Sequence, residues 1–260
     1  MTDWRSKFRA FAIHLAISSM VAIMAAALVF GLWYPFPYRV MLGGKELFLL
    51  VVVVDVVAGP VITFVAFNTK KRRREKILDY TTIGLVQLGA LCYGIWTVYE
   101  ARPVHMVFEY DRFRVVQAFE LPADAADKAL DGIAAAPLTG PTVLALRPLN
   151  GKESFDLTMQ AMGGYSLSAH PELWRPYESE RSAVLTVAKP VANLKSTFPA
   201  QWKQLNEMLT KFNMPLHQLS YLPIVAKSEV YWMAVLDRES GAIIGYLPFN
   251  SYDGVFVKVK

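Results

Sequence analysis

Three apolar runs of similar length dominate the first 100 residues, and they constrain the fold of this chain more than any other feature. They cover residues about 11–34, 47–67 and 78–99. Each is close to the ~20 residues with which a helix crosses a hydrocarbon core ~30 Å thick. Buried core helices of a soluble protein are the alternative, but three such runs in succession, each followed by turn or charged residues, favour three transmembrane α-helices.

The first run does not have the pattern of a cleaved signal peptide. Its apolar stretch is too long for one, and it ends at Trp33 and Tyr34 rather than at a cleavage site of small residues. Together with Trp96 and Tyr99 near the end of the third run, these aromatic residues are typical of anchors at a lipid–water interface. We therefore expect the first run to remain part of the protein as a span.

The surplus of positive charge belongs to the apolar part of the chain. Residues 1–100 carry 11 Lys and Arg against 6 Asp and Glu, whereas residues 101–260 carry 16 of each. A basic protein invites a nucleic-acid interpretation. Here the cations lie in short runs beside apolar segments, where they set membrane topology. We therefore expect no nucleic-acid partner.

A strongly basic loop between the second and third runs predicts the orientation of the chain. A short loop of this kind stays in the cytoplasm, which places the N-terminus inside and residues 101–260 outside. In a Gram-negative cell this means a multi-pass inner-membrane protein with a periplasmic C-terminal domain. The same cations also suit anionic lipid headgroups, so membrane lipid is an expected partner. The residues that set this topology are Lys70, Lys71, Arg72, Arg73, Arg74 and Lys76.

Two polar residues lie at mid-depth in the predicted spans. Asp55 is near the middle of the second run, where a carboxylate costs roughly 2.5–3.5 kcal/mol on insertion scales, and Gln87 is at a similar depth in the third. Gly59 permits close helix approach, and Pro60 predicts a kink because it lacks an N–H. Two interpretations of these residues stay open. In the first, Asp55 and the kink form a groove for the transmembrane helix of another protein. In the second, Asp55 and Gln87 make an internal contact that holds the bundle.

Residues 101–260 read as one α+β domain with an antiparallel sheet, joined to the spans by a short segment. A hairpin is expected at its start and a three-stranded meander at its end. In the hairpin, Glu109 and Asp111 could act as paired acid–base carboxylates, but cross-strand salt bridges to Arg112 and Arg114 are the simpler expectation. The predicted strands are 104–109, 113–118, 142–146, 220–226, 230–237 and 242–248. The predicted helices are 122–133, 154–162, 199–212 and a segment over 183–194 that Pro190 interrupts.

The motifs of common catalytic and metal sites are missing from the sequence. His105, His170 and His217 are far apart and have no Cys companions, so no metal site is expected. Residues 163–166 do not fit a nucleophile elbow, and there is no phosphate-binding glycine loop. We therefore expect neither a cofactor nor an enzyme. A sensor or ligand-binding module and a cell-envelope enzyme stay as alternative functions.

Short motifs along most of the chain resemble those of the TfpX/TfpZ group of type IV pilin accessory proteins. The resemblance is densest over residues 10–118, whereas residues about 120–220 are not distinctive. The matching pieces are Phe11-Ala12-Ile13-His14-Leu15, Trp33-Tyr34-Pro35, Gly43-Gly44-Lys45-Glu46-Leu47, Val54-Asp55-Val56-Val57-Ala58-Gly59-Pro60, Phe67-Asn68, Gln87-Leu88, Tyr93-Gly94, Ala101-Arg102-Pro103-Val104, Phe108-Glu109-Tyr110-Asp111-Arg112-Phe113 and, near the end, Leu236-Asp237, Gly241 and Gly245-Tyr246-Leu247-Pro248.

This resemblance implies a chaperone-like accessory role in type IV pilus assembly at the inner membrane. The expected partner is a type IV pilin, above all the major pilin, and the protein could form homo-oligomers or hetero-oligomers with other pilus-assembly proteins. The family has no catalytic residues that could be carried over to this sequence. On this reading, the three-helix bundle and the external domain hold pilin between them.

Overall fold

A computed structural model describes residues 4–66, 72–227 and 230–257. The predicted topology residues Lys70 and Lys71 and the resemblance motif Phe67-Asn68 lie outside these described residues. The chain divides into two compact units. The first comprises Met1–Arg39 and Gly43–Arg102, and the second comprises Val40–Leu42 and Pro103–Lys260.

Apolar helices make up most of the first unit. Two of them, Trp4–Trp33 and Arg73–Glu100, are long and apolar enough to cross a membrane, by length and composition. The middle apolar run is also helical, but a π-helical turn divides it into shorter pieces. The helices are α1 (Trp4–Leu28, continued by a π turn over Val29–Trp33), α2 (Tyr38–Met41), α3 (Gly44–Val52, continued by a π turn over Val53–Ala58), α4 (Gly59–Ala66) and α5 (Arg73–Glu100).

We call α3, its π turn and α4 together the middle helix, which covers residues 44–66. Aromatic contacts show that α1 runs antiparallel to it. Near the C-terminal end of the first helix, the rings of Phe30 and Phe48 lie 5.2 Å apart, measured between centroids. Near its other end, the ring of Phe11 meets that of Phe64 at 6.1 Å. Since Phe48 is early and Phe64 is late in the middle helix, the two helices form a hairpin.

The ends of the first and third apolar helices meet through a second set of contacts. The ring of Trp33 lies edge-on to that of Tyr99 at 5.2 Å, and the Tyr34 hydroxyl donates a 3.1 Å hydrogen bond to the carbonyl oxygen of Val98. Gly44 makes room for Tyr34, because a Cβ at that position would lie 2.7 Å from the tyrosine ring. The aromatic residues that were predicted as interfacial anchors therefore also pack helices together.

The second unit contains a mixed sheet. Its strand order is β4-β3-β1-β2-β6-β7-β8, with β5 paired to β6, while β9 and β10 form a separate pair. The strands are β1 (Pro103–Glu109), β2 (Arg112–Gln117), β3 (Thr142–Leu146), β4 (Trp174–Pro176), β5 (Lys189–Pro190), β6 (Leu219–Lys227), β7 (Val230–Asp237), β8 (Ile243–Leu247), β9 (Phe249–Asn250) and β10 (Val255–Phe256).

The expectation of an antiparallel sheet is wrong, because β1 pairs with β3 and β2 pairs with β6 in parallel. Parallel neighbours need a long crossover connection, whereas antiparallel neighbours can be joined by a tight turn. Tight turns leave local signals in the sequence, whereas long crossovers do not. No local signal therefore shows that the chain returns to place β3 beside β1 on one side of the first hairpin and β6 beside β2 on the other.

The first hairpin is confirmed at its predicted position. β1 and β2 pair antiparallel, and Glu109 stands opposite Arg112 at the turn. The Nε of Arg112 donates a 3.1 Å hydrogen bond to the Glu109 carboxylate, which is one of the salt bridges expected for the hairpin. Tyr110 has a φ of 52° in the turn, a left-handed conformation that a two-residue hairpin loop requires. The C-terminal meander β6-β7-β8 is confirmed as well.

The helices agree with the sequence in part. The prediction of a helix over 122–133 is wrong beyond one short turn, since the chain leaves the helix and Gly132 takes a φ of +88°. The segment after Pro190 is a separate short helix, as the proline predicts. The helices of this unit are α6 (Ala125–Lys128), α7 (Gly151–Met162), α8 (Arg181–Val187), α9 (Asn193–Thr197) and α10 (Trp202–Leu209, continued by a 3-10 turn over Thr210–Phe212).

The largest core of the second unit lies between α10 and the meander. Leu205 and Leu209, which are fully buried, pack with Met233 and Val235 of β7. This confirms the apolar stripe that the sequence shows along residues 199–212. Burial of each such side chain contributes roughly 1.5–3 kcal/mol. The helix is therefore held by packing along one face.

Gly245 offers a test of this packing. An alanine Cβ at Gly245 would lie 2.3 Å from the ring of Phe212, so Gly245→Ala forces that ring out of the core. We expect a loss of about 1–3 kcal/mol in the free energy of unfolding. Gly151→Ala is the matched control, since a Cβ there meets nothing within 4 Å. Urea unfolding of the full chain in detergent measures both variants, and equal stability of the two would contradict this packing.

Candidate functional site

A cavity of about 600 Å³ lies among the apolar helices of the first unit. Its walls come from one face of α1, one face of the middle helix and one face of α5. Most of the lining is apolar, and the polar side chains in it are those of His14, Ser18, Asp55, Thr63, Tyr80 and Gln87. A volume of this size is within the range of ligand pockets, roughly 300–1,000 Å³, so we call it the groove and treat it as the candidate site.

The spacing of residues along the middle helix explains which side chains reach the groove. Asp55, Gly59 and Thr63 follow one another at intervals of four residues, and residues four apart lie on the same face of a helix. The π turn over Val53–Ala58 contains Asp55 and ends immediately before Gly59 and Pro60. Since Pro60 has no N–H to donate, the regular ladder cannot run through this turn. Such π turns are frequent at functional sites.

The carboxylate of Asp55 lacks hydrogen-bond partners among the described residues. Both of its oxygens are buried, and neither has a hydrogen-bond partner in the part of the chain that the structure describes. The same is true of the Nε2 of Gln87. The two residues therefore face one cavity without bonding to each other. Buried polar groups form hydrogen bonds in the great majority of cases. Two residues with unpaired polar atoms in one groove therefore require an explanation.

Gly59 and Gln87 are in close contact. A Cβ built on Gly59 would lie 1.6 Å from the Nε2 of Gln87, so the amide rests directly on the glycine backbone. The absence of a side chain at Gly59 thus lets the third apolar helix approach the second. The close approach that the sequence suggested for Gly59 has a defined neighbour in the structure.

The second polar pair of the groove is satisfied. The Nδ1 of His14 and the hydroxyl of Thr63 are 2.6 Å apart, which joins α1 to α4. The sequence marked His14 only as part of the motif Phe11-Ala12-Ile13-His14-Leu15, and Thr63 was not identified. The signal that could have found Thr63 is its spacing of eight residues from Asp55. This pair shows that the groove satisfies some of its polar groups internally, in contrast to Asp55 and Gln87.

The described part of the basic cluster opens α5. Arg72 is the N-cap residue, and its backbone N–H donates a 3.2 Å hydrogen bond to the Glu75 carboxylate. Arg73, Arg74 and Lys76 follow in the first turn. A helix N-terminus favours negative charge, so the macrodipole does not account for cations at this position. Their placement calls for a reason outside the helix itself.

The histidines of the second unit do not converge. In residues 4–66, 72–227 and 230–257, no group of three or more His, Cys, Asp or Glu could hold a metal ion. His105 is fully buried. Its Nε2 donates to the carbonyl of Ala135 at 2.8 Å, and its Nδ1 accepts from Thr142 at 2.7 Å. Burial lowers the pKa of His105 to about 4, so it is a neutral core residue at physiological pH.

Glu109 is the centre of a polar network on the first hairpin. Besides the bond from Arg112, its carboxylate accepts a hydrogen bond from the hydroxyl of Ser168, 59 residues away in sequence. Nearby, Arg114 and Glu120 approach to 4.0 Å, and burial raises the pKa of the Glu120 carboxyl. Nothing in the sequence pointed to Ser168. The network links the hairpin to the segment before β4, and it has the form of a structural contact.

Comparisons with known proteins give a consistent result. The family described as "Fimbrial assembly protein FimB" matches residues 2–43, which include α1 and its π turn. A "Fimbrial assembly protein, serogroup I" of Dichelobacter nodosus is 36% identical over 228 residues, covering 87% of this chain and 89% of the relative. The serogroup E1 protein of the same organism is 35% identical over the same shares.

A third relative is shorter than this chain. The "Fimbrial assembly protein, serogroups C1 and C2" of Dichelobacter nodosus is 42% identical over 112 residues. The match covers 43% of this chain and 86% of the relative. No solved structure matches the chain.

Proposed function

Because the chain belongs to the family of fimbrial assembly proteins, we propose that it is an inner-membrane accessory protein that stabilises type IV pilin during pilus assembly. The observation that carries this proposal beyond the family role is the groove with its unsatisfied Asp55 and Gln87. The names of the relatives point to a non-enzymatic role, and the proposal includes no catalytic step. The narrower assignment to the TfpX/TfpZ group stays a prediction.

The exposed surfaces of the apolar helices support a position in the membrane. Ile23 and Met24 on α1 and Leu85 and Val86 on α5 are between 65% and 69% exposed, although all four are large apolar residues. Soluble proteins rarely expose contiguous apolar surfaces of this extent. Lipid is a medium in which such surfaces are stable.

The middle helix is proposed as the third span. Its three contiguous pieces contain 9, 6 and 8 residues. At the usual rise of 1.5 Å per residue they reach roughly 34 Å, enough for a hydrocarbon core about 30 Å thick. The aromatic contacts that make this helix antiparallel to α1 support the same arrangement.

The basic cluster orients the three spans. Cations at the N-terminus of α5 are unfavourable for the helix dipole but are typical of a cytoplasmic loop. We infer a cytoplasmic N-terminus and a periplasmic C-terminal domain.

Reporter fusions test this orientation. Alkaline phosphatase, which requires the periplasm, is fused after Lys260, and β-galactosidase, which requires the cytoplasm, is fused in the same place in a second strain. We expect activity from the phosphatase fusion and none from the β-galactosidase fusion. Replacing Arg72, Arg73, Arg74 and Lys76 by Gln provides the matched control, which should reduce this bias. The reverse pattern in the native chain would contradict the inferred orientation.

In the proposed mechanism, the groove receives the apolar helix of pilin and the periplasmic domain contacts the pilin head. Holding the pilin helix would keep its apolar surface from non-specific association until assembly. Pairing in lipid relies on close packing and interhelical hydrogen bonds, since lipid tails are as apolar as the helices themselves. An apolar groove in which Asp55 and Gln87 lack partners among the described residues suits this kind of pairing. Oligomers with other pilus-assembly proteins are compatible with the same arrangement.

Gene deletion tests the proposed function. Cells without the gene should carry fewer surface pili and less membrane pilin, because pilin that is not held is degraded or misassembled. Immunoblots of membrane pilin and electron microscopy of the surface measure both quantities. Complementation with the native gene is the control and should restore them. Normal pili together with normal pilin levels in the deletion strain would contradict the proposal.

A further inference from the structure

In the groove, Asp55 lacks a hydrogen-bond donor and Gln87 lacks a hydrogen-bond acceptor among the described residues. The two carboxylate oxygens of Asp55 can only accept when ionised, and the Nε2 of Gln87 can only donate. All three atoms are buried, and none has a partner in residues 4–66, 72–227 and 230–257. Burying such groups without partners is costly in apolar surroundings. A ligand that fits the groove should therefore satisfy both residues.

Few chemical groups can satisfy both residues. An ammonium group can donate to Asp55 but cannot accept from Gln87, while a carbonyl oxygen can accept from Gln87 but cannot donate. The backbone groups of a transmembrane helix are occupied by the helix itself. A hydroxyl group donates one hydrogen bond and accepts others, so a serine or threonine side chain meets both needs. Within the wall of the groove, the Thr63 hydroxyl makes an interhelical hydrogen bond of this kind with His14.

The volume of the groove limits how the ligand can enter. One turn of a helix with its side chains, 10–12 Å across and 5.4 Å long, fills roughly 420–610 Å³. The cavity of about 600 Å³ therefore cannot enclose a whole span. It can accept the side chains that project from one face of a helix lying along its opening.

We propose that the groove binds the transmembrane helix of pilin through one serine or threonine, whose hydroxyl donates to Asp55 and accepts from the Nε2 of Gln87. The apolar neighbours of that residue on the same helix face fill the rest of the cavity. This inference rests on the proposed function, which names pilin as the partner. A lipid acyl chain would fill the apolar volume but would leave both polar residues unsatisfied.

Photocrosslinking in intact cells locates the ligand. The photoreactive residue benzoylphenylalanine replaces Leu88, which lines the groove, or Val86, which is on the same helix but does not line it. We expect the Leu88 probe to crosslink the pilin transmembrane helix, beside a serine or threonine, at least fivefold more than the Val86 probe does. An adduct with lipid alone, or with a stretch of pilin that has no hydroxyl within one turn, would overturn the proposal.

A double-mutant cycle tests the hydrogen bonds themselves. The pilin serine or threonine is changed to alanine, and this chain carries Asp55→Leu or, in a second cycle, Gln87→Leu. Each single change should lower pilin co-purification by about three- to twentyfold, the range of interhelical hydrogen bonds. The double variants should show little further loss, because each pair acts through one contact. Independent losses that multiply in both cycles would overturn the proposal.

These experiments separate the inference from the proposed function. If native protein co-purifies with pilin but neither the Leu88 probe nor the Asp55 and Gln87 variants respond, only the hydroxyl-binding groove is wrong. If native protein captures no pilin and the deletion strain has normal pili, the proposed function itself is wrong. Two independent polar variants keep the test decisive, because the amount of folded membrane protein is measured for each of them.

Discussion

The first unit depends on one constraint: in apolar surroundings, every polar group needs a partner within the protein. Helix formation provides hydrogen-bond partners for the backbone groups, and the side chains of His14 and Thr63 are partners for each other. Asp55 and Gln87 do not meet it among the described residues, and both face the groove. Real proteins break local rules mainly at functional sites, so this exception locates the candidate site more clearly than any sequence motif does.

The second unit depends on the hairpin of β1 and β2, which occupies the middle of the mixed sheet. Its turn could be predicted because Tyr110 and its neighbours form a local signal, and the final meander was predictable for the same reason. The parallel pairings could not be predicted, because they depend on where long crossovers return the chain. The false helix over 122–133 followed a proline and an acidic first turn, signals that mark a start but do not fix an end.

The candidate site was partly accessible from the sequence. Counting residues along each apolar run placed Asp55 and Gln87 at a similar depth, and Gly59 marked a close approach. The π turn and the missing Asp55–Gln87 bond depend on how three helices pack, which residue spacing alone does not determine. Family membership supplies the link to fimbriae, while the groove suggests how a helix is held.

The most direct test of this account is the thermal stability of Asp55→Leu, compared with the native chain, in detergent and without pilin. If the carboxylate is kept for a partner, its removal relieves the cost of an unsatisfied buried group, about 1–3 kcal/mol. The account therefore predicts that the midpoint of unfolding rises by a few degrees. A fall in the midpoint would show that Asp55 holds the bundle together and would contradict the central claim.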